Sequence, residues 1–272
     1  MKLDSGLRAG GAGIRLHEVN EDMGRIAILG GTGAEGLGLG LRFALCGEEV
    51  VIGSRQTQRA MEAAEGARAR LQAVGCATPV RGAENQAAVR GVDVVVVATP
   101  FGGVSEFLAP LASALEGMLV LDVVNPLIRE RQQFTFDRLP EGSAGETIQQ
   151  LLPGSRVVSA FKNESAEKLD AIEHPMDGDV LVCGNDADAR TQVMALVERI
   201  PRLRAVDAGP LINARALEAI TALLLNINRR HRAITSIQIV GLPAQPVAGS
   251  GRSKPGAETV PATDRRVMPR GT

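Results

Sequence analysis

The sequence predicts an α/β fold, a doubly wound parallel sheet with a small C-terminal helical part, on three observations. Short β-branched runs alternate with stretches of helical period from Arg25 to Asp207, the pattern of βαβ units with right-handed crossovers. The run Val92-Asp93-Val94-Val95-Val96-Val97-Ala98 is too short and too β-branched for a helix and reads as a buried strand. The first run ends in Gly30-Gly31-Thr32-Gly33-Ala34-Glu35-Gly36, a glycine turn between a strand and a helix.

The elements follow in order. Arg25 to Leu29 is the first strand and Ala34 to Cys46 the first helix. Val50-Val51-Ile52 is the second strand, and Gln56 to Ala73 a second helix with Ser54 as its N-cap. A weak strand is expected near Thr78 to Arg81, and another at Met118 to Val124. Ser143-Ala144-Gly145-Glu146 has the spacing of a capping box before Ile148, Leu151 and Leu152. Strands recur at Arg156 to Ala160, Asp179 to Cys183 and Leu203 to Asp207, with a helix over Asp188 to Ile200. Leu211 to Arg229 is a long helix whose Leu217, Ile220, Leu224 and Ile227 form one stripe, widened by Ala216, Ala219 and Leu223. A helix so broadly apolar is covered on more than one side, by this chain's core or by a second subunit. Thr235 to Gly241 could add an extended segment.

Four parts result. Residues 1–24 are an extension, 25–210 a nucleotide-binding domain, and 211–242 the C-terminal helix and segment. Residues 243–272, rich in Pro, Gly, Ser, Arg and Thr, bury too little to offset their ordering entropy and are expected to be a disordered tail.

Composition narrows the function. The 272 residues carry 30 basic and 31 acidic side chains, a net charge of −1, with no basic surplus for a phosphate backbone. Aromatic residues make up 2%, with no Trp or Tyr, so platforms for base stacking are scarce. Nucleic acid is thus disfavoured as a partner. Cys46, Cys76 and Cys183 suggest neither a disulfide framework nor a metal site; Cys46 and Cys183 read as small core residues. No apolar run approaches the ~20 residues of a membrane span, and no signal peptide is apparent. The expectation is a reducing, cytoplasmic setting.

Gly31, Gly33 and Gly36 satisfy G-x-G-x-x-G directly after a strand and at the opening of a helix. In that context Gly31 permits the tight turn, Gly33 the approach of a pyrophosphate, and Gly36 close packing of helix on strand. The helix N-terminus supplies unpaired N–H groups and partial positive charge. This is the Rossmann-type signature for a dinucleotide. At the end of the second strand, where NAD sites place a carboxylate, stands Gly53-Ser54-Arg55. Ser54 and Arg55, with Arg59 one helical turn on, suit a 2′-phosphate through charge-assisted bonds. NADPH is the expected cofactor. Thr99-Pro100-Phe101 and Asn125-Pro126 close two further strands, at the ends where such sheets bind ligands; Pro100 there could lie under a nicotinamide ring.

Leu29-Gly30-Gly31-Thr32-Gly33, Gly53-Ser54-Arg55, Val157-Val158-Ser159-Ala160, Val182-Cys183-Gly184 and Asp207-Ala208-Gly209-Pro210-Leu211 together resemble the NADPH-dependent reductases of the deazaflavin coenzyme F420, over about residues 25 to 242. The resemblance implies a homodimer that passes a hydride between NADPH and coenzyme F420. It implies that Thr32, Gly33, Ala34 and Glu35 line the pyrophosphate, and that Ser54, Arg55 and Arg59 hold the 2′-phosphate, Arg59 replacing the family's lysine. Thr99, Phe101, Asn125 and Ala166 would flank the nicotinamide side. The chain departs from the family at Ala160-Phe161-Lys162-Asn163, where relatives carry a His-containing loop. Phe161, Lys162 and Asn163 are assigned to the second substrate, Lys162 as a binding cation. Phe161 and Asn163 also look like the equivalent loop of related ferric or flavin reductases.

No general acid–base pair stands out. His17 and His174 lie in polar stretches, and Arg229-Arg230-His231-Arg232 is a solvated helix end or a contact for a polyanionic coenzyme tail. Direct hydride exchange between two carriers needs proximity above all. Two other readings remain: an NADPH-dependent reductase of a flavin, a ferric chelate or a small carbonyl or imine, and an NADPH-binding sensor without turnover.

Overall fold

A computed structural model describes residues 24–137 and 139–242. The expected N-terminal extension, Gly24 apart, and the expected tail from Pro243 lie outside the described residues. The chain divides into two compact units, Met1–Gln238 and Ile239–Thr272. The sheet, its helices and the site belong to the first.

Its elements run β1 (Arg25–Leu29), α1 (Ala34–Leu45), β2 (Glu49–Ser54), α2 (Thr57–Ala73), β3 (Val80–Glu84), α3 (Asn85–Ala88), β4 (Val94–Val97) and α4 (Val104–Leu108). They continue with β5 (Leu119–Asp122), β6 (Leu127–Glu130), β7 (Gln133–Phe136), α5 (Ala144–Leu151), β8 (Arg156–Ser159) and α6 (Ala166–Asp170). The series closes with β9 (Gly178–Gly184), α7 (Ala187–Glu198), β10 (Leu203–Asp207) and α8 (Ala214–His231). Eight strands form one sheet in the order β10-β9-β8-β5-β4-β1-β2-β3. The chain walks outward from β1 to β3 and then crosses back to β4, so the strand order reverses between β1 and β4. Open α/β sheets bind ligands at such a switch point.

Period-two alternation sends neighbouring side chains to opposite faces. Ile26, Ile28, Val94, Val96 and Leu121 pack with Leu39, Phe43 and Leu71 on one face. Ala27, Leu29, Val95, Val97 and Val120 pack with Leu108, Ile148 and Leu217 on the other. The predicted capping box is present: Ser143 Oγ accepts from the Glu146 amide at 3.1 Å and donates to Glu146 Oε2 at 2.8 Å. Arg42 of α1 ties that helix to α6, donating to the carbonyls of Lys168 (2.6 Å), Leu169 (3.0 Å) and Ala171 (2.8 Å). Those carbonyls end a helix and lack partners within it.

The structure corrects several expectations. β9 lies antiparallel on β8, with Val158 opposite Gly184, and β10 runs parallel to β9. A parallel crossover must return the chain along a strand's length, and the five residues of α6 rise only about 7.5 Å. β6 and β7, unexpected from the sequence, form a hairpin with Leu127 opposite Phe136. Asn226 of α8 holds it, accepting from the Phe134 amide at 2.8 Å and donating to the Phe134 carbonyl at 2.7 Å. Residues 233–238 form no strand, although the Asp179 amide donates to the Ile237 carbonyl at 2.8 Å. Within α8 only Ala214, Leu217, Glu218 and Ala222 are fully buried, and Leu223 is 57% exposed. Cys183 is buried as expected, while Cys46 is half-buried. No helix among the described residues is long and apolar enough to cross a membrane.

Candidate functional site

The glycine turn leaves β1 at the switch point, and each glycine has a distinct physical reason. Gly30 has φ +78°, and a Cβ there would stand 2.7 Å from the Ala98 carbonyl oxygen. A Cβ on Gly31 would meet the Ile28 carbonyl at 2.8 Å, and one on Gly36 the Gly30 carbonyl at 2.9 Å. These three are required by the protein's own packing. Gly33 is different: it is exposed, has φ −82° and would meet nothing nearer than 3.4 Å. Its missing side chain leaves room on the outside, where a ligand would lie. Gly33 is also the N-cap of α1 and gives no side-chain cap, so first-turn amides remain available to an anion.

A cavity of about 420 Å³ opens beside this turn, and Thr32, Gly33, Ser54, Arg55 and Arg59 are among the residues that line it. The Arg55 and Arg59 side chains are exposed and make no hydrogen bond or ion pair among the described residues. Ser54 does not cap α2. Its Oγ accepts from the Gln56 amide at 3.3 Å, Gln56 is the N-cap, and the Ser54 hydroxyl proton stays free to donate. Thr99 and Pro100 line the same cavity. Pro100 thus lines the same cavity as Arg55 and Arg59. Asn85 and Phe107 also line it. Sequence reasoning missed both; Asn85 sits at the end of β3, a strand read from the sequence as weak.

The remaining predicted residues are placed elsewhere. Gly31 and Gly36 are buried, Ala34 is exposed at the start of α1, and Phe101 is half-buried in a short 3-10 turn. Ala166 is half-buried as the first residue of α6. Phe161 has φ +57° and is buried with its ring edge-on to Phe43, centroids 5.8 Å apart. Asn163 is buried and donates to the Leu217 carbonyl at 2.8 Å and to Thr221 Oγ1 at 2.9 Å.

Lys162 is not presented to the cleft as a binding cation: its ammonium is inside the protein. Nζ lies 3.0 Å from Glu218 Oε1 and also reaches Asp122 and the Val124 carbonyl. Ser159 Oγ donates to Asp122 Oδ2 at 2.6 Å. Burial alone would depress the Lys162 pKa, but Asp122 and Glu218 outweigh it and raise the pKa. Burial raises the Glu218 pKa against the pull of Lys162.

Polar atoms buried without hydrogen-bond partners include Glu35 Oε1, Asn85 Oδ1, Thr99 Oγ1, Asn125 Oδ1 and Glu164 Oε1. The Asn125 amide nitrogen donates to the Lys162 carbonyl at 2.9 Å, which aligns the strand end with the Lys162 loop. Burial, then the neighbouring Glu164, push Glu35 up to about 8, opposed by Lys162. Burial and then Asp179 push Glu164 up to about 7, opposed by Lys168. Among the described residues no cluster of His, Cys, Asp and Glu could hold a metal ion.

Comparison with known proteins gives the same picture. The family described as NADP oxidoreductase, coenzyme F420-dependent, matches residues 25–126. The F420-dependent NADP reductase of Methanocaldococcus jannaschii is 38% identical over 223 residues, 80% of this chain and 99% of that protein. Metalloreductase STEAP3 of Rattus norvegicus is 32% identical over 77% of this chain but only 39% of its own length. Among solved structures, an assigned F420-dependent NADP-reductase from Arthrobacter sp. FB24 superposes with a TM-score of 0.67 at 26% identity, covering 80% of this chain and 99% of that one.

Proposed function

The chain belongs to the family of coenzyme F420-dependent NADP reductases, and from that premise we propose that it transfers a hydride between NADPH and the deazaflavin coenzyme F420. One observation carries the cofactor half: the glycine turn opens onto two exposed, unpaired guanidiniums and a free hydroxyl at the end of β2. Thr32, Gly33, Ala34 and Glu35, through the first amides of α1, hold the pyrophosphate. Ser54, Arg55 and Arg59 hold the 2′-phosphate, where a carboxylate would repel it. Asn85, Pro100 and Phe107 wall the adenosine half. The nicotinamide half then falls toward the ends of β4, β5 and β8, where the buried, unpartnered oxygens of Thr99 and Asn125 offer hydrogen bonds.

Together the two coenzymes supply a hydride donor carbon and a hydride acceptor carbon. The chain's share is to hold them face to face and to exclude water, which accounts for most of such a barrier. Residues 25–210 form the cofactor domain, and 211–242 contribute to the acceptor side and to a homodimer. Ile212 and Leu223, 50% and 57% exposed, are apolar surface suited to a second subunit. Three free cysteines accord with a cytoplasmic protein.

The test follows deuterium placed at nicotinamide C4. It is expected at the deazaflavin C5, without exchange into water. The likeness to a metalloreductase favours a second reading, reduction of a ferric chelate. NADPH oxidation by ferric chelate, with the deazaflavin left untouched, would establish that reading instead.

A further inference from the structure

Asn85 follows β3 directly, and the parallel register sets Glu84 opposite Ser54, so Asn85 stands one residue beyond that pair, as Arg55 does on β2. It lines the cavity together with Ser54, Arg55 and Arg59. Only 5% of Asn85 is exposed, and its Oδ1 is buried with no hydrogen-bond partner. Asn85 opens the short α3 but does not cap it. Glu84 does, its side chain accepting from the Gln86 amide at 2.9 Å. The neighbouring strand makes room for the carboxamide, since a Cβ on Gly53 would stand 2.8 Å from Asn85 Oδ1. A leucine of similar shape would pack here without stranding an oxygen in a dry place, which carries a cost. A buried carboxamide with no partner for its oxygen in the protein points to a partner outside it.

The contacts assigned to the 2′-phosphate leave a matching gap. The guanidiniums of Arg55 and Arg59 can only donate. The ribose that carries the phosphate on its 2′ carbon keeps a hydroxyl on the 3′ carbon, and that hydroxyl needs an acceptor. A carboxamide presents an acceptor and a donor side by side. We propose that the Asn85 carboxamide binds this phosphorylated ribose, accepting from the 3′-hydroxyl through Oδ1 and donating to the 2′-phosphate through Nδ2. Asn85 thereby reads the hydroxyl and the phosphate as a pair on adjacent carbons and adds to the preference for the phosphorylated cofactor. The inference rests on the NADP(H) reading of the cavity and is independent of the hydride acceptor.

Isothermal titration of NADPH, NADH, adenosine 2′,5′-bisphosphate and AMP into the full chain reads the contact. Asn85→Leu is expected to weaken NADPH and the bisphosphate about ten-fold, and NADH and AMP by no more than about three-fold. Asn85→Asp keeps an acceptor for the hydroxyl but sets a carboxylate against the phosphate. It is expected to weaken NADPH about a hundred-fold and to leave NADH within about two-fold. Because Asn85→Leu removes a buried, unpartnered group, that variant should melt no lower than the wild type when free of cofactor. Equal losses for phosphorylated and unphosphorylated ligands, or no loss in either variant, overturn the inference and leave the cofactor reading intact. Failure of both NADPH and the bisphosphate to bind the wild type overturns the two together. Should a variant not fold, the 3′-deoxy form of the bisphosphate decides on the wild type. It is expected to bind about five-fold more weakly than the parent, and equal binding overturns the inference.

Discussion

Lys162 Nζ lies 2.8 Å from Asp122 Oδ2 with neither side chain exposed. The pair joins the loop after β8 to the end of β5, and Glu218 extends it to α8. Both carboxylates are held further: Asp122 Oδ1 accepts from the Val124 amide at 2.8 Å, and Glu218 accepts from the Ala144 amide at 3.0 Å. Such a network need not stabilise more than apolar packing would, but removing one member strands the others in a dry site. It fixes the position of α8 relative to the strand ends where the coenzymes are proposed to meet.

Lys162→Met is therefore expected to destabilise the fold by about 3–5 kcal/mol, because it leaves two buried carboxylates uncompensated. Urea denaturation measures this. A loss below about 1 kcal/mol would mean that the ammonium is far less confined than the structure places it.

Arg55→Asp should lower NADPH affinity strongly and NADH affinity little. Unmutated, the protein should prefer NADPH at least ten-fold, about 1.4 kcal/mol, a modest demand on charge-assisted contacts to a phosphate. The Arg55 and Arg59 side chains make no hydrogen bond or ion pair among the described residues, so the substitution should barely move the melting temperature. Equal affinities for the two cofactors would refute the assignment of Ser54, Arg55 and Arg59.

The glycines separate packing from binding. Gly36→Ala drives a methyl to 2.9 Å from the Gly30 carbonyl and should cost about 1–3 kcal/mol of stability. Gly33→Ala meets nothing nearer than 3.4 Å at φ −82° and should change stability by less than about 0.5 kcal/mol. Its effect should fall on NADPH affinity, read by fluorescence titration. A Gly33→Ala protein that binds as tightly as the wild type would show that the pyrophosphate lies elsewhere.

What the sequence revealed was local. The glycine turn, the Ser54-Arg55 strand end, the valine run and the Ser143 capping box each lie within a few consecutive residues, where spacing and residue type carry the physics. What it concealed was long-range. The direction of β9 depends on how short α6 is, and the hairpin of β6 and β7 is held by Asn226, about ninety residues away. Lys162, Asp122 and Glu218 meet from three separate elements, so Lys162 reads from the sequence as a free cation. One signal was available: Glu218 interrupts the apolar stripe between Leu217 and Ala219, and a carboxylate on a buried face needs a partner. The unpartnered oxygens of Glu35 and Glu164 left no comparable mark, since glutamates at a helix start and in a loop are ordinary surface residues.

Those two carboxyls also set a pH dependence of stability. In the unfolded chain both return to ordinary carboxylate values near 4.5, whereas the fold raises Glu35 to about 8 and Glu164 to about 7. Between those limits the folded state binds more protons than the unfolded state, so stability falls as pH rises. The slope is at most about 1.4 kcal/mol per pH unit for each group. The Cys46 and Cys183 thiols, pushed up by burial to about 11 and about 12, titrate above this window. Melting of the cofactor-free protein should therefore weaken steadily from pH 5 to pH 8. Glu35→Gln cannot ionise, so it should flatten the upper part of that decline and melt higher than the wild type near pH 8.5. A wild-type curve that is level across the window, or a Glu35→Gln curve that falls as steeply, would show that the two carboxyls reach water.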